Sequence, residues 1–129
     1  DIIDRRITEQ IAMRAVMETE IALGNYPRDV SQHNLGYDIE SRDRHTGKLR
    51  FIEVKGRKIG AETFTMTYNE VYCALNSSSQ FILALVEVGQ GKANAPRYIK
   101  NYAFTEPPPN SVSINFNMRD FLTLSQEPY

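Results

Sequence analysis

The chain has a single cysteine, Cys73, so no intrachain disulfide can form; this fits a reducing compartment, and a cytoplasmic location is expected. Cys73 falls in a helical pattern and reads as a small buried hydrophobe rather than a reactive thiol. The only two histidines, His33 and His45, sit in separate turns, and with one cysteine elsewhere they lack the spacing of a zinc site. There is no G-x-S-x-G and no Gly-rich phosphate loop, which removes the serine-hydrolase and nucleotide-triphosphatase readings. No apolar run approaches the length of a bilayer span, so no membrane contact is expected. Repeats and low-complexity tracts are absent too. The chain opens at Asp1 and enters a helical pattern within a few residues, without a leader-like segment, so it is expected to be a fragment of a longer polypeptide.

What is present is an ordinary globular composition, 41% hydrophobic and 24% charged over 129 residues, enough for one domain with its own core. The net charge is only −1, but it is unevenly spread. Between positions 42 and 58, Arg42, Arg44, Lys48, Arg50, Lys55, Arg57 and Lys58 face only Asp43 and Glu53, a surplus of +5 that leaves −6 elsewhere. A basic hairpin on an acidic body suits contact with a phosphate backbone, although solvated hairpins carry Lys and Arg for solubility alone.

Hydrophobic spacing predicts an amphipathic helix over 4–23, carried by Ile7, Ile11, Ala12, Ala15, Val16, Ala22 and Leu23 and stopped by Gly24. An extended segment over 26–30 and a polar turn over 31–34 follow. Strands are predicted over 36–42 and 49–56, with a short further strand at Thr63-Phe64-Thr65-Met66. Thr67 and Glu70 form a capping-box pattern that opens a helix over 68–75. Positions 80–88 read as a strand buried on both faces, the central one, and 97–104 as another. Pro107-Pro108-Pro109 forces an extended loop, and Asn117 caps a last short helix reaching Leu124. Hairpins combined with one helical crossover imply an α/β (α+β) fold, a mixed sheet covered by helices.

The first chemistry-bearing pattern is Glu53-Val54-Lys55, preceded by Asp38. Alternation puts Glu53 and Lys55 on one face of a strand and Ile52 and Val54 on the other. If Arg44-His45-Thr46-Gly47 is a four-residue loop, residue numbers across the two strands sum to 91. Tyr37 then meets Val54, Ile39 meets Ile52, and Asp38 lies opposite Glu53. One face is apolar; the other carries Asp38, Glu40, Glu53 and Lys55. Two carboxylates about 5 Å apart at an effective dielectric near 20 repel by roughly 3 kcal/mol, so a cation must offset them. Lys55 is one candidate and a hard divalent ion the other.

With these residues and this element order, the chain resembles the PD-(D/E)XK restriction-endonuclease-like superfamily, and within it the NO VEIN C-terminal domain. The match is carried by Asp29-Val30-Ser31, by the run from Asn34 to Ser41 (NLGYDIES), by Phe51-Ile52-Glu53-Val54-Lys55-Gly56 and by Thr67-Tyr68-Asn69-Glu70. The resemblance implies an αβββαβ core, Mg²⁺ dependence with Mn²⁺ able to substitute, and phosphodiester hydrolysis, expected in DNA. Asp38 and Glu53 match the metal-binding acids, the Val54 carbonyl a third ligand, and Lys55 the motif lysine, making Asp38, Glu53 and Lys55 the expected catalytic set. Tyr37 stands where the superfamily name has proline. The family pattern offers Glu9 or Glu20, three turns apart on the first helix, as a further metal ligand, and Asn69 and Glu70 as accessory residues, although a capping role explains Glu70 equally well.

The resulting expectation is a metal-dependent endonuclease domain inside a larger helicase-associated or defence protein, with a helicase or ATPase module as partner. Nucleic acid would be contacted through Arg42, Arg44, Lys48, Arg50, Arg57 and Lys58. The alternative is a catalytically inactive module that keeps the fold to bind nucleic acid or a partner protein.

Overall fold

A computed structural model describes all residues, 1–129. Helix α1 (Ile2–Ala22) starts at an Asp1 cap, whose carboxylate accepts from the Asp4 N–H. Strands β1 (Tyr26–Asp29), β2 (Ile39–Arg42) and β3 (Leu49–Lys58) form an antiparallel meander. Strand β4 (Thr63–Thr67) and helix α2 (Tyr68–Asn76) cross over to β5 (Phe81–Gly89), which runs parallel to β3. A two-residue β6 (Lys92–Ala93) and β7 (Arg97–Lys100) pair with β5 on its far side, and β8 (Ser113–Asn117) pairs with β4 before α3 (Met118–Leu124). The result is a mixed six-stranded sheet flanked by helices, with a separate two-stranded ribbon. No helix is long and apolar enough to cross a membrane.

The expected register holds. Ile39 pairs with Ile52 and Glu40 with Phe51. Asp38 lies just ahead of the ladder and does not pair with Glu53 as expected: its N–H donates to the Ile52 carbonyl at 2.9 Å, one residue out of register. Tyr37 departs from expectation. It lies ahead of the point where β2 joins the ladder, beside Gly36 at φ +88°, so strand alternation does not govern it. Its ring stacks on Phe51 at 4.4 Å and its hydroxyl donates to Glu40 at 3.0 Å, on the face opposite the one expected.

Strand β5 is central and buried on both faces. Its even positions, Ile82, Ala84, Val86 and Val88, join Ile39, Ile52, Val54 and Tyr98 under α1. Its odd positions, Phe81, Leu83 and Leu85, join Phe64, Met66, Val71 and Phe121 on the other side. Each such side chain contributes about 1.5–3 kcal/mol by leaving water, which makes this strand the anchor of both layers.

The buried stripe of α1 is Thr8, Ala12, Val16 and Glu20, not the more apolar one that includes Ile7, which remains 49% exposed. The reason is close approach. A Cβ on Gly56 of β3 would sit 2.5 Å from the Ala12 Cβ and 3.1 Å from the Thr8 carbonyl oxygen, so only small residues fit where helix and strand cross. Two further differences lie late in the chain. The strand expected over 97–104 ends at Lys100, where Asn101 turns to φ +59°, and β8 lies in a stretch for which only loop and cap are expected.

Candidate functional site

The site forms where β2 leaves β3. The Asp38 carboxylate takes over from the missing ladder partner, its Oδ2 accepting from the Val54 N–H at 2.9 Å. Alternate residues of a strand send their carbonyls to the same edge, and the Ile52 carbonyl already accepts from Asp38 on that edge. The Val54 carbonyl therefore points into the same divergence, beside the acid.

Glu53 and Lys55 stand on the opposite face of β3 from Ile52 and Val54, as alternation requires. Their neighbours in the parallel ladder are Leu83 and Leu85, so two charged side chains occupy a surface that is hydrophobic one strand away. Glu53 is only 2% exposed. The Lys55 Nζ reaches Glu53 Oε2 at 3.1 Å and Glu70 Oε1 at 2.9 Å. Glu70 Oε1 also accepts from the Thr67 N–H at 2.8 Å, while Thr67 Oγ1 accepts from the Glu70 N–H. The two readings of Glu70 are thus both realised: it completes the capping box of α2 and pins the lysine.

Glu53 Oε1 has no hydrogen-bond partner. A buried carboxylate oxygen in that condition costs on the order of 1–3 kcal/mol or more. Burial raises the Glu53 pKa well above its ordinary value; Lys55 opposes this, and the charges of Asp38 and Glu70 reinforce it. Burial also raises the Asp38 pKa, against the pull of the Val54 N–H and Lys55. For Lys55 burial acts downward, but Glu53 and Glu70 prevail and the ammonium is held above its usual pKa. The site is therefore a buried and a half-buried acid beside a firmly protonated lysine.

The residues fit a divalent cation in part. An orphaned carboxylate oxygen, the neighbouring Asp38 carboxylate and an inward-facing carbonyl are hard oxygen donors of the kind Mg²⁺ takes. No three His, Cys, Asp or Glu side chains come close enough to ligate one ion by themselves. Water and a substrate oxygen would complete the shell, as is usual for Mg²⁺.

The other expected residues divide between two ends of the molecule. Asp38, Glu53, Val54, Lys55, Arg57, Lys58 and Glu70 line one cleft of about 1460 Å³, together with Glu9 of α1. Glu20 does not reach it: this glutamate is fully buried and paired with Arg50 at 2.9 Å. Arg50 is accordingly engaged in the interior and is not free for phosphate. Arg42 donates to the Gly47 carbonyl and Arg44 to His45, and both belong, with Lys48, to the hairpin end away from the cleft. Asn69 donates to the Asn34 carbonyl at 3.3 Å and holds the loop ahead of Gly36. The α1 wall of the cleft, with Arg6, Gln10 and Met13, is a part of the site that sequence reasoning misses. Its signal is a four-and-three spacing offset from the apolar stripe.

Fold and site together define a mixed-sheet α/β protein with an acid, acid and lysine cleft at a strand divergence. The chain belongs to the family described as Protein NO VEIN, C-terminal, whose model matches residues 8–99. That stretch contains Asp38, Glu53, Lys55 and Glu70 and ends on β7. No curated protein and no solved structure matches the chain.

Proposed function

We propose that this chain is a metal-dependent nuclease module of the PD-(D/E)XK type, hydrolysing phosphodiester bonds in DNA within a larger helicase-associated or defence protein. The observation that carries the reading is the unpartnered oxygen of buried Glu53, beside Asp38 and in salt-bridge contact with Lys55. An under-satisfied, pKa-shifted acid on an otherwise apolar strand face, lining a cleft, is the arrangement that a bound ion or a catalytic role completes. Element order supports the same reading: one helix, a three-strand meander, then a crossover helix to a parallel central strand.

A Mg²⁺ ion held by Asp38, Glu53 and the Val54 carbonyl, or Mn²⁺ in its place, would supply Lewis acidity toward the scissile phosphate and acidify a water. The chain supplies the rest. Lys55, fixed between two carboxylates, orients the attacking water and offsets charge developing on the phosphoryl oxygens. Glu70 keeps that ammonium in place through the cap of α2.

The test is Mg²⁺- or Mn²⁺-dependent cleavage of plasmid and single-stranded DNA by wild type, Lys55→Ala and Asp38→Ala. Wild-type cleavage that EDTA abolishes and that falls at least a hundredfold in both variants is expected. Cleavage equal in all three proteins would overturn the reading.

One observation favours a second reading, a binding module without catalysis: the lysine is already neutralised by Glu53 and Glu70, and no third acid joins the pair. Its signature is nucleic-acid binding that survives Asp38→Ala, with no cleavage under any divalent ion.

A further inference from the structure

Helix α1 presents a second stripe to the cleft, rotated away from its buried one. Arg6, Gln10, Met13 and Met17 follow one another at spacings of four, three and four residues, and all four line the cleft. Arg14 stands beside them, and Arg57, which donates one guanidinium N–H to the Thr63 carbonyl, reaches the same cleft from β3. The side chains of Arg6 and Arg14 make no salt bridge and no hydrogen bond within the chain. That separates them from Arg50, held by Glu20, and Arg42, held by the Gly47 carbonyl, on the hairpin.

At the cleft mouth the cations Arg6 and Arg14 are exposed beside the exposed acids Asp4, Glu9 and Asp29, whereas Asp38 and Glu70 are half-buried and Glu53 is buried. Along the α1 wall the exposed Gln10 offers an amide and Met13 and Met17 two half-buried thioethers, polarizable surfaces suited to the edges and faces of unpaired bases. In a duplex those faces and edges are stacked and paired, and its stiff double backbone brings a phosphate down to a carboxylate that is 2% exposed less readily than a single strand does. A single strand can do both.

We infer that this cleft is the path of an unpaired polynucleotide strand, with phosphates on Arg6, Arg14 and Arg57 and bases against Gln10, Met13 and Met17. The inference rests on the nuclease reading for what happens at the cleft floor, but binding itself needs no metal. Both deoxyribose and ribose strands present this chemistry.

Fluorescence anisotropy in EDTA tests it, using a labelled 20-nucleotide single strand, as DNA and as RNA, and the duplex of the same DNA sequence. A single strand of either sugar is expected to bind at least tenfold more tightly than the duplex, and the tighter sugar identifies the source. The double variant Arg6→Ala/Arg14→Ala should weaken that binding about tenfold and lower the salt slope by roughly 0.7 for each phosphate that is no longer neutralised. Both side chains are free of internal bonds, so an unchanged thermal midpoint verifies that the variant is folded. Arg42→Ala/Lys48→Ala should change affinity less than threefold. Duplex binding as tight as single-strand binding, or a greater loss in the hairpin variant than in the α1 variant, overturns the path. Cleavage of DNA without single-strand preference would remove the path and leave the nuclease standing; single-strand preference without cleavage would do the reverse.

Discussion

Glu20 and Glu53 are both buried carboxylates paired with a cation, and they differ in almost everything else. Glu20 accepts from Arg50 through both oxygens at 2.9 and 3.0 Å, from Asn25 at 3.1 Å and from Tyr98 at 2.8 Å. Burial pushes its pKa up, but the Arg50 and Tyr98 contacts outweigh that and leave it below the ordinary value. Glu53 has one partner, Lys55, an orphaned oxygen, and a pKa well above the ordinary value. Residue type and burial are alike at the two sites; satisfaction, and with it the ease of ionisation, is not. A carboxylate whose lone pairs are filled from within the chain holds the fold together, and one left short is poised to take something from outside.

The sharpest way to break the comparison is to remove one partner at each site. Arg50→Ala strands the Glu20 charge in the interior and should cost about 3–5 kcal/mol in chemical denaturation. Glu53→Gln should leave metal-free stability unchanged or raise it by about 1 kcal/mol, since it deletes a charge that the fold does not fully pair. Comparable losses in the two variants would erase the distinction.

Metal addition sharpens it next. At a free Mg²⁺ concentration 100 times its Kd, wild type should gain about 2.7 kcal/mol of stability, with none in Glu53→Gln or Asp38→Asn. Glu20→Gln should keep the full gain, although it starts from a lower baseline. A gain shared by Glu53→Gln would place the ion elsewhere.

How far the sequence foretells this contrast follows from how local each site is. Glu53 and Lys55 sit on β3 and Asp38 just ahead of β2, joined to it by a short loop, so alternation and loop length are enough to set the register that carries Asp38 to the edge of β3, where its carboxylate meets the Val54 N–H. Glu70 is legible as a cap because its partner is three residues away. Its grip on Lys55 depends on the crossover that brings the start of α2 up to that side chain, which no local pattern encodes. Glu20 looks like a candidate ligand because a helical acid declares no partner. Arg50 is 30 residues away and Tyr98 is 78, and only the folded sheet brings them together. Arg50 resembles a phosphate contact in the sequence for the same reason. Strand β8 is a different failure: Ile114 and Phe116 alternate with polar residues as a half-buried strand should, but the neighbouring proline run masks so short a pattern.

The smallest expected effect is a pair of opposed pH slopes. With its folded pKa lowered, Glu20 contributes stability that is fully present above its unfolded value of 4.5 and is lost as pH falls through the folded value. Glu53 runs the other way. Its folded pKa is raised, so its contribution is fully present below 4.5 and is lost as pH rises through the folded value. Each pKa unit of difference between folded and unfolded states corresponds to about 1.4 kcal/mol. Denaturation midpoints of the metal-free protein, measured from pH 3 upward, should therefore separate the variants by sign. Relative to wild type, Glu20→Gln should flatten the loss on the acid side of 4.5, and Glu53→Gln should flatten the loss above it. Two variants that flatten the same side would mean that the carboxylates share one environment, and the claim that one is satisfied and the other is not would fail.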